Sequence, residues 1–185
     1  NLAIGNSTLR NQGSAGVVTA ARKYLVTIDL SNIPSNAKEF EILYKEFGKE
    51  HAEGPFILSS LARSLVQTGR HKEAAQYFKQ FQEFFPGHAA GPRVLLEEAQ
   101  ALLSDRQYDK SIASFQKLIV QFRGQRNFDS LVGEAYFGLG NAFEESDNFA
   151  AALEAYKEGL FLYPNKKVIE LKLDRVTKRF KAKKI

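Results

Sequence analysis

The side chains that could do chemistry in this chain are few, and their spacing argues against an enzyme. The histidines His51, His71 and His88 lie too far apart in sequence to form a local pair of metal ligands. The adjacent glutamates at 97–98 and 144–145 would point to different sides of a helix, so neither pair can form the carboxylate dyad of acid–base catalysis. Cysteine is absent, which excludes thiolate catalysis and disulfides. We therefore predict no catalytic activity, metal, cofactor or small-molecule substrate.

Cationic side chains near the C-terminus are the second candidate for chemistry. From Lys166 onward the chain has nine Lys and Arg residues and only two acidic residues, which gives this segment a charge of +7, whereas the whole chain carries +5. Residues 1–165 therefore sum to −2. Two interpretations stay open: a helix that caps the fold, which we favour, or a surface for anionic lipid or nucleic acid, with nucleic acid the weaker expectation. The residues of that surface would be Lys178, Arg179, Lys181, Lys183 and Lys184.

A pattern that recurs three times along the chain must position these side chains. Each copy combines small residues, where two helices would approach closely, with a large aromatic residue one turn later. Because such a unit cannot bury its apolar face alone, the pattern predicts stacked antiparallel helix pairs. The small positions are Ala62, Ala99 and Gly140 in the first helix and Ala74, Ser111 and Ala152 in the second; the large ones are Phe78, Phe115 and Tyr156.

The repeats divide the chain into consecutive segments. We expect a flexible N-terminus, a degenerate helix pair, three repeats with an inserted loop before the third, and a basic capping helix. No run of about 18 apolar residues occurs, so no segment is predicted to span a bilayer. The absence of methionine predicts that residue 1 is not the start of translation. The segments are 1–13, 14–53, 54–88, 89–123, 124–128 (the loop), 129–165 and 166–185.

The clearest copy of the pattern resembles the tetratricopeptide repeat (TPR) family. Its matching residues are Tyr136, Leu139, Gly140, Phe143, Ala152, Tyr156 and Pro164. The other copies depart from the family motif at Phe81, Leu118 and Arg123. The resemblance implies an all-α fold, a right-handed superhelix of antiparallel helix pairs whose first helices line a concave groove.

The resemblance also implies which side chains line that groove. They are Phe56, Ser59, Arg63 and Gln67 in the first repeat, Arg93, Leu96, Gln100 and Leu103 in the second, and Glu134, Phe137, Asn141 and Glu144 in the third. Some TPR co-chaperones hold a C-terminal carboxylate with a clamp of Lys, Asn and Arg. Here the clamp positions carry Ser59, Arg63, Glu97, Glu134 and Gly138, and the two glutamates would repel a carboxylate.

A looser resemblance concerns the location of the protein. Residues 74–92 and 111–122 are similar to bacterial envelope TPR proteins, including the β-barrel assembly lipoprotein and the periplasmic partner of the Tol–Pal system. This implies a periplasmic or envelope-associated protein, and a cytoplasmic one stays an alternative.

We predict a scaffold that binds a peptide or helix of another protein in the groove. Phe56, Leu96, Leu103 and Phe137 would provide apolar contacts, and Arg63, Arg93 and Asn141 would fix the register. The alternatives are a peripheral membrane or nucleic-acid binder acting through the basic C-terminal helix, and a scaffold that self-associates into a homo-oligomer.

Overall fold

The computed structural model describes residues 37–47, 50 and 52–183. The predicted helix before residue 37 and the last two residues lie outside this range. Every regular element that the structure describes is helical, which confirms the all-α prediction. The elements are α1 (Ala37–Phe47), α2 (Gly54–Gln67), α3 (His71–Phe84), α4 (Gly91–Ser104), α5 (Tyr108–Phe122), a 3₁₀ turn (Arg126–Phe128), α6 (Asp129–Glu145), α7 (Phe149–Gly159) and α8 (Lys166–Ala182).

The described helices form two compact units, α1 to α3 and α4 to α8, and each is described by itself. In the first unit α2 packs against both α1 and α3. Phe40 of α1 and Phe78 of α3 have no exposed surface. Tyr44 and Tyr77 join α1 to α3 through an edge-to-face contact with ring centroids 6.3 Å apart.

The second unit is a run of helices that pack in succession. Successive helices from α4 to α8 pack against one another, and α4 also packs against α6. The core of α4, α5 and α6 includes Leu96, Phe115 and Leu139. A second core joins α7 to α8, where Ile169 and Val176 are buried against Tyr156. Helix α8 therefore caps the last helix pair, as the sequence predicted.

The small residues of the repeat lie where neighbouring helices meet. A Cβ atom added to Gly140 would overlap the ring of Tyr156, and one added to Gly138 would overlap the ring of Phe115. The Ser111 hydroxyl donates a hydrogen bond to the carbonyl oxygen of Ala99 over 2.8 Å, which joins α5 to α4 at the equivalent position of the preceding pair. Small side chains are thus required at these positions because large ones fill the space opposite.

The turn between the two helices of each pair has the same backbone form. Its middle residue adopts a left-handed conformation, with φ of 77° at Gly69, 60° at Arg106 and 61° at Asp147. In each turn the next amide donates to a carbonyl five residues back, for example Arg70 to Leu65 over 2.8 Å. This is the hydrogen bond of a Schellman helix end, where glycine is the least strained residue. Arginine and aspartate therefore occupy strained positions in the second unit.

The contact of Gly140 with Tyr156 predicts the effect of adding a single methyl group. Gly140→Ala should lower the free energy of unfolding by about 2 kcal/mol, because overpacking against a buried ring costs about 3 kcal/mol and alanine's helix propensity returns about 1 kcal/mol. Urea denaturation monitored by circular dichroism measures the change. Ser130→Ala, at an exposed site of the same helix, is the control and should stay within about 0.5 kcal/mol of the parent. Equal stability of all three proteins would contradict the packing argument.

The shared turn geometry predicts opposite effects at two equivalent positions. Arg106→Gly should raise the free energy of unfolding by about 0.5–1 kcal/mol, since it relieves a left-handed arginine. Gly69→Ala should lower it by about 1 kcal/mol for the same reason. Thermal denaturation of the two variants beside the parent tests the pair, and a change of the same sign in both would show that turn strain does not decide the result.

Candidate functional site

Helices α4, α6 and α8 lie side by side in the second unit, and ion pairs and hydrogen bonds join their outward sides. Arg93 of α4 meets Glu134 of α6, and Lys172 of α8 reaches Asn141 of α6. We call this surface the α4–α6–α8 face. Its residues are Arg93, Gln100, Leu103, Glu134, Phe137, Asn141 and Lys172.

The Arg93–Glu134 pair links α4 to α6. The guanidinium donates two hydrogen bonds to the carboxylate, at 2.8 and 3.1 Å. These bonds raise the pKa of Arg93, with its partial burial acting in the opposite direction. Both side chains keep contact with water, so the pair contributes only about 0–1 kcal/mol to stability. The pair also fixes the relative positions of two opposite charges on the exposed face.

The carboxylate of Glu144 is the charge that is buried under the last helix. Its side chain is 1 % exposed, and three cations of α8 converge on it. Arg175 donates to both oxygens at 2.6 and 2.7 Å, Arg179 to one at 3.0 Å, and Lys172 lies 3.4 Å away. Burial raises the pKa of Glu144, but the Arg175 and Tyr156 hydrogen bonds and the nearby charges outweigh it and hold the pKa below its ordinary value.

Tyr156 and Asn141 complete this network. The Tyr156 hydroxyl lies 2.8 Å from Asn141 Oδ1 and 3.1 Å from Glu144 Oε2, so its one hydrogen faces two acceptors. Burial first, and then the charge of Glu144, raise the pKa of Tyr156 well above its ordinary value, so the hydroxyl stays a donor. Lys172 Nζ lies 2.6 Å from the same Asn141 oxygen, which orients the amide. The amide nitrogen of Asn141 is therefore directed away from Tyr156 and Lys172.

An open cavity of about 380 Å³ adjoins this network. Four segments of the second unit line it: the end of α4 with the turn that follows, the start of α5, α6 and α8. The lining side chains are mostly polar and carry two positive charges and one negative. They are Leu103, Ser104, Arg106, Tyr108, Asn141, Glu145 and Lys172.

The structure corrects three of the residues predicted for the groove. Ser59, Leu96 and Glu144 are buried, with 4, 0 and 2 % of their surface exposed. The hydroxyl of Ser59 turns back to the carbonyl of Phe56 in its own helix. Leu96 lies in the core between α4, α5 and α6, and Glu144 is covered by α8. These side chains cannot contact a partner without unpacking the fold.

The remaining groove predictions divide between the two units. In the first unit, Phe56 and Gln67 of α2 are exposed and Arg63 is half-buried; the Phe56 ring makes an edge contact with Phe40, 6.4 Å between centroids. In the second unit, Arg93 and Gln100 are exposed, while the others are half-buried. Phe137 stacks on Tyr163 with ring centroids 4.6 Å apart. Their role in binding stays a prediction.

Several of the cations predicted as an anionic-ligand surface have partners within the chain. Arg179 bonds to Glu144 and also lies over the Phe149 ring, and Lys183 lies 3.8 Å from Asp147. Lys178 bonds to Asp174 one turn earlier in α8. Lys181 is exposed, and Lys184 lies outside the described residues. Much of the positive charge of α8 is therefore paired within the chain, where it holds the helix in place, and is not free to bind lipid or nucleic acid.

The sequence reasoning missed the role of Lys172 and Arg175. A signal for it exists: Ile169, Lys172, Val176 and Arg179 recur at helical spacing, so one side of α8 carries both its apolar and its cationic contacts. Cations on the same side of a helix as its buried apolar residues predict an acidic residue on the element against which that side packs. Nothing comparable indicates the cavity, since it is assembled from four separate segments.

The geometry defines a class: an array of antiparallel helix pairs with an exposed face and a capping helix. Among the described residues there is no group of three or more metal-ligating side chains, and no helix there has the length and hydropathy that a bilayer span requires. The class is that of a helical repeat array.

Comparisons with known proteins identify the family. Models of the tetratricopeptide repeat match residues 59–88 and 96–166, together more than half of the chain. The chain belongs to the tetratricopeptide repeat family. No curated protein sequence gives a significant match.

Two solved structures show the same fold at low sequence identity. One is described as "MamA 41-end from Desulfovibrio magneticus RS-1", with a TM-score of 0.68 and 15 % identity over 92 % of this chain and 87 % of that one. The other is the "MamA RS-1 ArsTM double mutant", with a TM-score of 0.67 and 15 % identity over 91 % and 85 %. At this identity the likeness concerns the fold.

The network around Glu144 predicts a pH-dependent contribution to stability. At pH 7, Glu144→Gln should lower the free energy of unfolding by about 1–3 kcal/mol, because hydrogen bonds to a charged group are lost. The pKa of Glu144 is lowered from 4.5 in the folded chain. The contribution is therefore present above pH 4.5 and lost as the pH falls through the folded pKa. Urea denaturation of parent and variant from pH 7 to pH 3 measures the difference, which should shrink on acidification.

A matched variant tests the same network by removing the cations instead of the carboxylate. Replacing Lys172, Arg175 and Arg179 with methionine leaves the carboxylate buried without a cation and should cost about 3–5 kcal/mol at pH 7. Adding Glu144→Gln to this variant should then increase stability, since the unpaired charge is removed. If Glu144→Gln lowers stability equally in both backgrounds, the carboxylate and the cations are not coupled.

Proposed function

We propose that this protein is a non-catalytic scaffold that binds a peptide or helix of another protein on its α4–α6–α8 face. The observation that carries the proposal is the composition of that face. It offers exposed polar groups at Gln100 and Arg93 beside half-buried apolar surface at Leu103 and Phe137. Partners are commonly held by apolar contacts that provide affinity and polar groups that fix register.

The arrangement of charge supports binding in one orientation. The Arg93–Glu134 pair lies towards the start of α4 and α6, and Asn141 with Lys172 lies further along. A bound segment therefore meets different groups at its two ends, so its reversed orientation would lose those contacts. Rigid helices carry all of these side chains, which lowers the cost of ordering them on binding.

The basic C-terminal helix is the weaker candidate for the functional surface. Lys172, Arg175 and Arg179 converge on Glu144, so their charge already serves to dock α8. A bacterial envelope assembly is the setting that we propose from the sequence resemblance, and a self-associating scaffold is the alternative that the same face could serve with a second copy as partner.

Site-specific photocrosslinking tests the proposal directly. A photoreactive amino acid at Gln100, exposed on α4, should give a discrete adduct with another protein in an extract of the source organism. The same group at Lys117, exposed on α5, is the control and should give none. Mass spectrometry of the adducts identifies the partner, or a second copy of this chain. Identical adducts at both positions, or none at position 100, would count against the face.

A charge exchange refines the same experiment. Arg93→Glu combined with Glu134→Arg keeps an ion pair between α4 and α6 but inverts its polarity. We expect the unfolding free energy to change by less than about 1 kcal/mol while the adduct at position 100 is strongly reduced. If the variant gives as much adduct at position 100 as the parent does, the partner does not contact these two charges.

A further inference from the structure

The Glu144 network beside the cavity carries more positive than negative charge. Lys172, Arg175 and Arg179 contribute three positive charges against the single negative charge of Glu144, an excess of two. Asp147 and Lys183 lie next to them and cancel each other. Lys172 is the member of this group that lines the cavity. Its ammonium has three hydrogens and two oxygen acceptors, Asn141 and Glu144, and it also lies 5.7 and 5.9 Å from the ring centroids of Phe137 and Tyr156. One of its hydrogens therefore has no oxygen acceptor among the described residues.

Arg106 brings a second cation to the same cavity. It lies in the left-handed position of its turn, with φ of 60°, where the equivalent residue of the first unit is Gly69. In the third turn, Asp147 occupies this strained position and its carboxylate meets Arg179 and Lys183 of α8. No ion pair joins Arg106 to another residue within 37–47, 50 or 52–183. A strained residue whose side chain has no structural partner and lines a cavity is an indication of function.

The neutral groups around the two cations are hydrogen-bond donors. Because the Asn141 oxygen already faces Lys172 and Tyr156, the amide can offer its N–H groups. Ser104 and Tyr108, whose hydroxyl groups can donate hydrogen bonds, line the same cavity. Glu145 is the acidic group of the lining, and it would repel a second negative charge close to the first.

We infer that this cavity binds one aspartate or glutamate side chain of the bound partner. The carboxylate lies between Lys172 and Arg106 and accepts from the Asn141 amide; such charge-assisted hydrogen bonds are the strongest that a polar side chain offers. Glu145 selects a single acidic residue at a fixed position over an acidic run. This inference rests on the proposed function, since it specifies the chemistry of the segment that the α4–α6–α8 face binds.

Selection of peptides tests it without knowledge of the natural partner. The probe is a phage-displayed library of random dodecapeptides, selected in parallel on the parent protein, on Arg106→Gln and on Lys117→Gln. The last variant removes one exposed positive charge from α5 and serves as the control for net charge. We expect peptides from the parent and from Lys117→Gln to share one acidic position, and peptides from Arg106→Gln to lack it.

Affinity measurements on the selected consensus peptide complete the test. By fluorescence anisotropy, Arg106→Gln and Arg106→Gly should each weaken binding about tenfold, and replacing the acidic residue of the peptide by its amide should do the same. The Arg106 variant and the amide peptide together should bind only slightly more weakly than either change alone, because both changes remove the same contact. Since Arg106→Gly is expected to stabilise the fold, weaker binding by this variant is not a consequence of unfolding.

Two results would overturn the inference. If the parent selects peptides without a fixed acidic position, or if Arg106→Gln binds the consensus peptide as tightly as the parent does, the cavity is not the site of a carboxylate. The proposed function would survive that result if crosslinking at Gln100 still captures a protein. If none of the three proteins selects a peptide, the inference fails and peptide binding by the face fails with it.

Discussion

One buried carboxylate holds the last helix on this protein. Helix α8 fully buries only two of its own apolar side chains, Ile169 and Val176, which contribute about 1.5–3 kcal/mol each. That is modest for a helix of 17 residues whose ordering costs entropy along its whole length. The three cations around Glu144 add contacts to a buried charge, beside the Arg179–Phe149 and Lys183–Asp147 contacts at the end of the helix. They also fix the register of α8, because a shift by one residue would move every cation away from the carboxylate.

The candidate binding face depends on this docking. Lys172 belongs to α8, while Asn141 and Glu145 belong to α6 and Arg106 to the turn after α4. The cavity exists only when all of these elements are in place. In the proposed function Glu144 therefore links stability to binding, because the helix that this carboxylate holds in place also carries the Lys172 of the cavity.

The fold could be predicted from the sequence because its determinants are local and periodic. Small residues at the positions of Gly140 and Ser111, and a large aromatic residue at the position of Tyr156, recur in each repeat, and their types follow directly from how closely two helices approach. The candidate site was only partly predictable. By analogy with the family, Glu144 was predicted to lie on the exposed side of α6. In the structure α8 covers it, and the spacing of residues within α6 contains no sign of this contact.

The cavity shows a second limit of sequence reasoning. Arg106 looks like an ordinary exposed turn residue until its left-handed backbone is known. Lys172 is one of nine cations in the C-terminal segment, and only the position of Asn141 distinguishes it from the others. Contacts between residues distant in sequence depend on the packing of whole helices, so residue type and spacing alone do not determine them.

Hydrogen exchange of α8, measured by mass spectrometry, tests most directly whether Glu144 holds the capping helix in place. The account predicts that peptides from residues 166–182 are protected in the parent protein nearly as well as those of α6. In Glu144→Gln it predicts faster exchange in α8, and in the adjoining side of α7, with α4 and α5 unchanged. Unprotected α8 amides in the parent, or equal protection in both proteins, would contradict the claim that this carboxylate holds the helix.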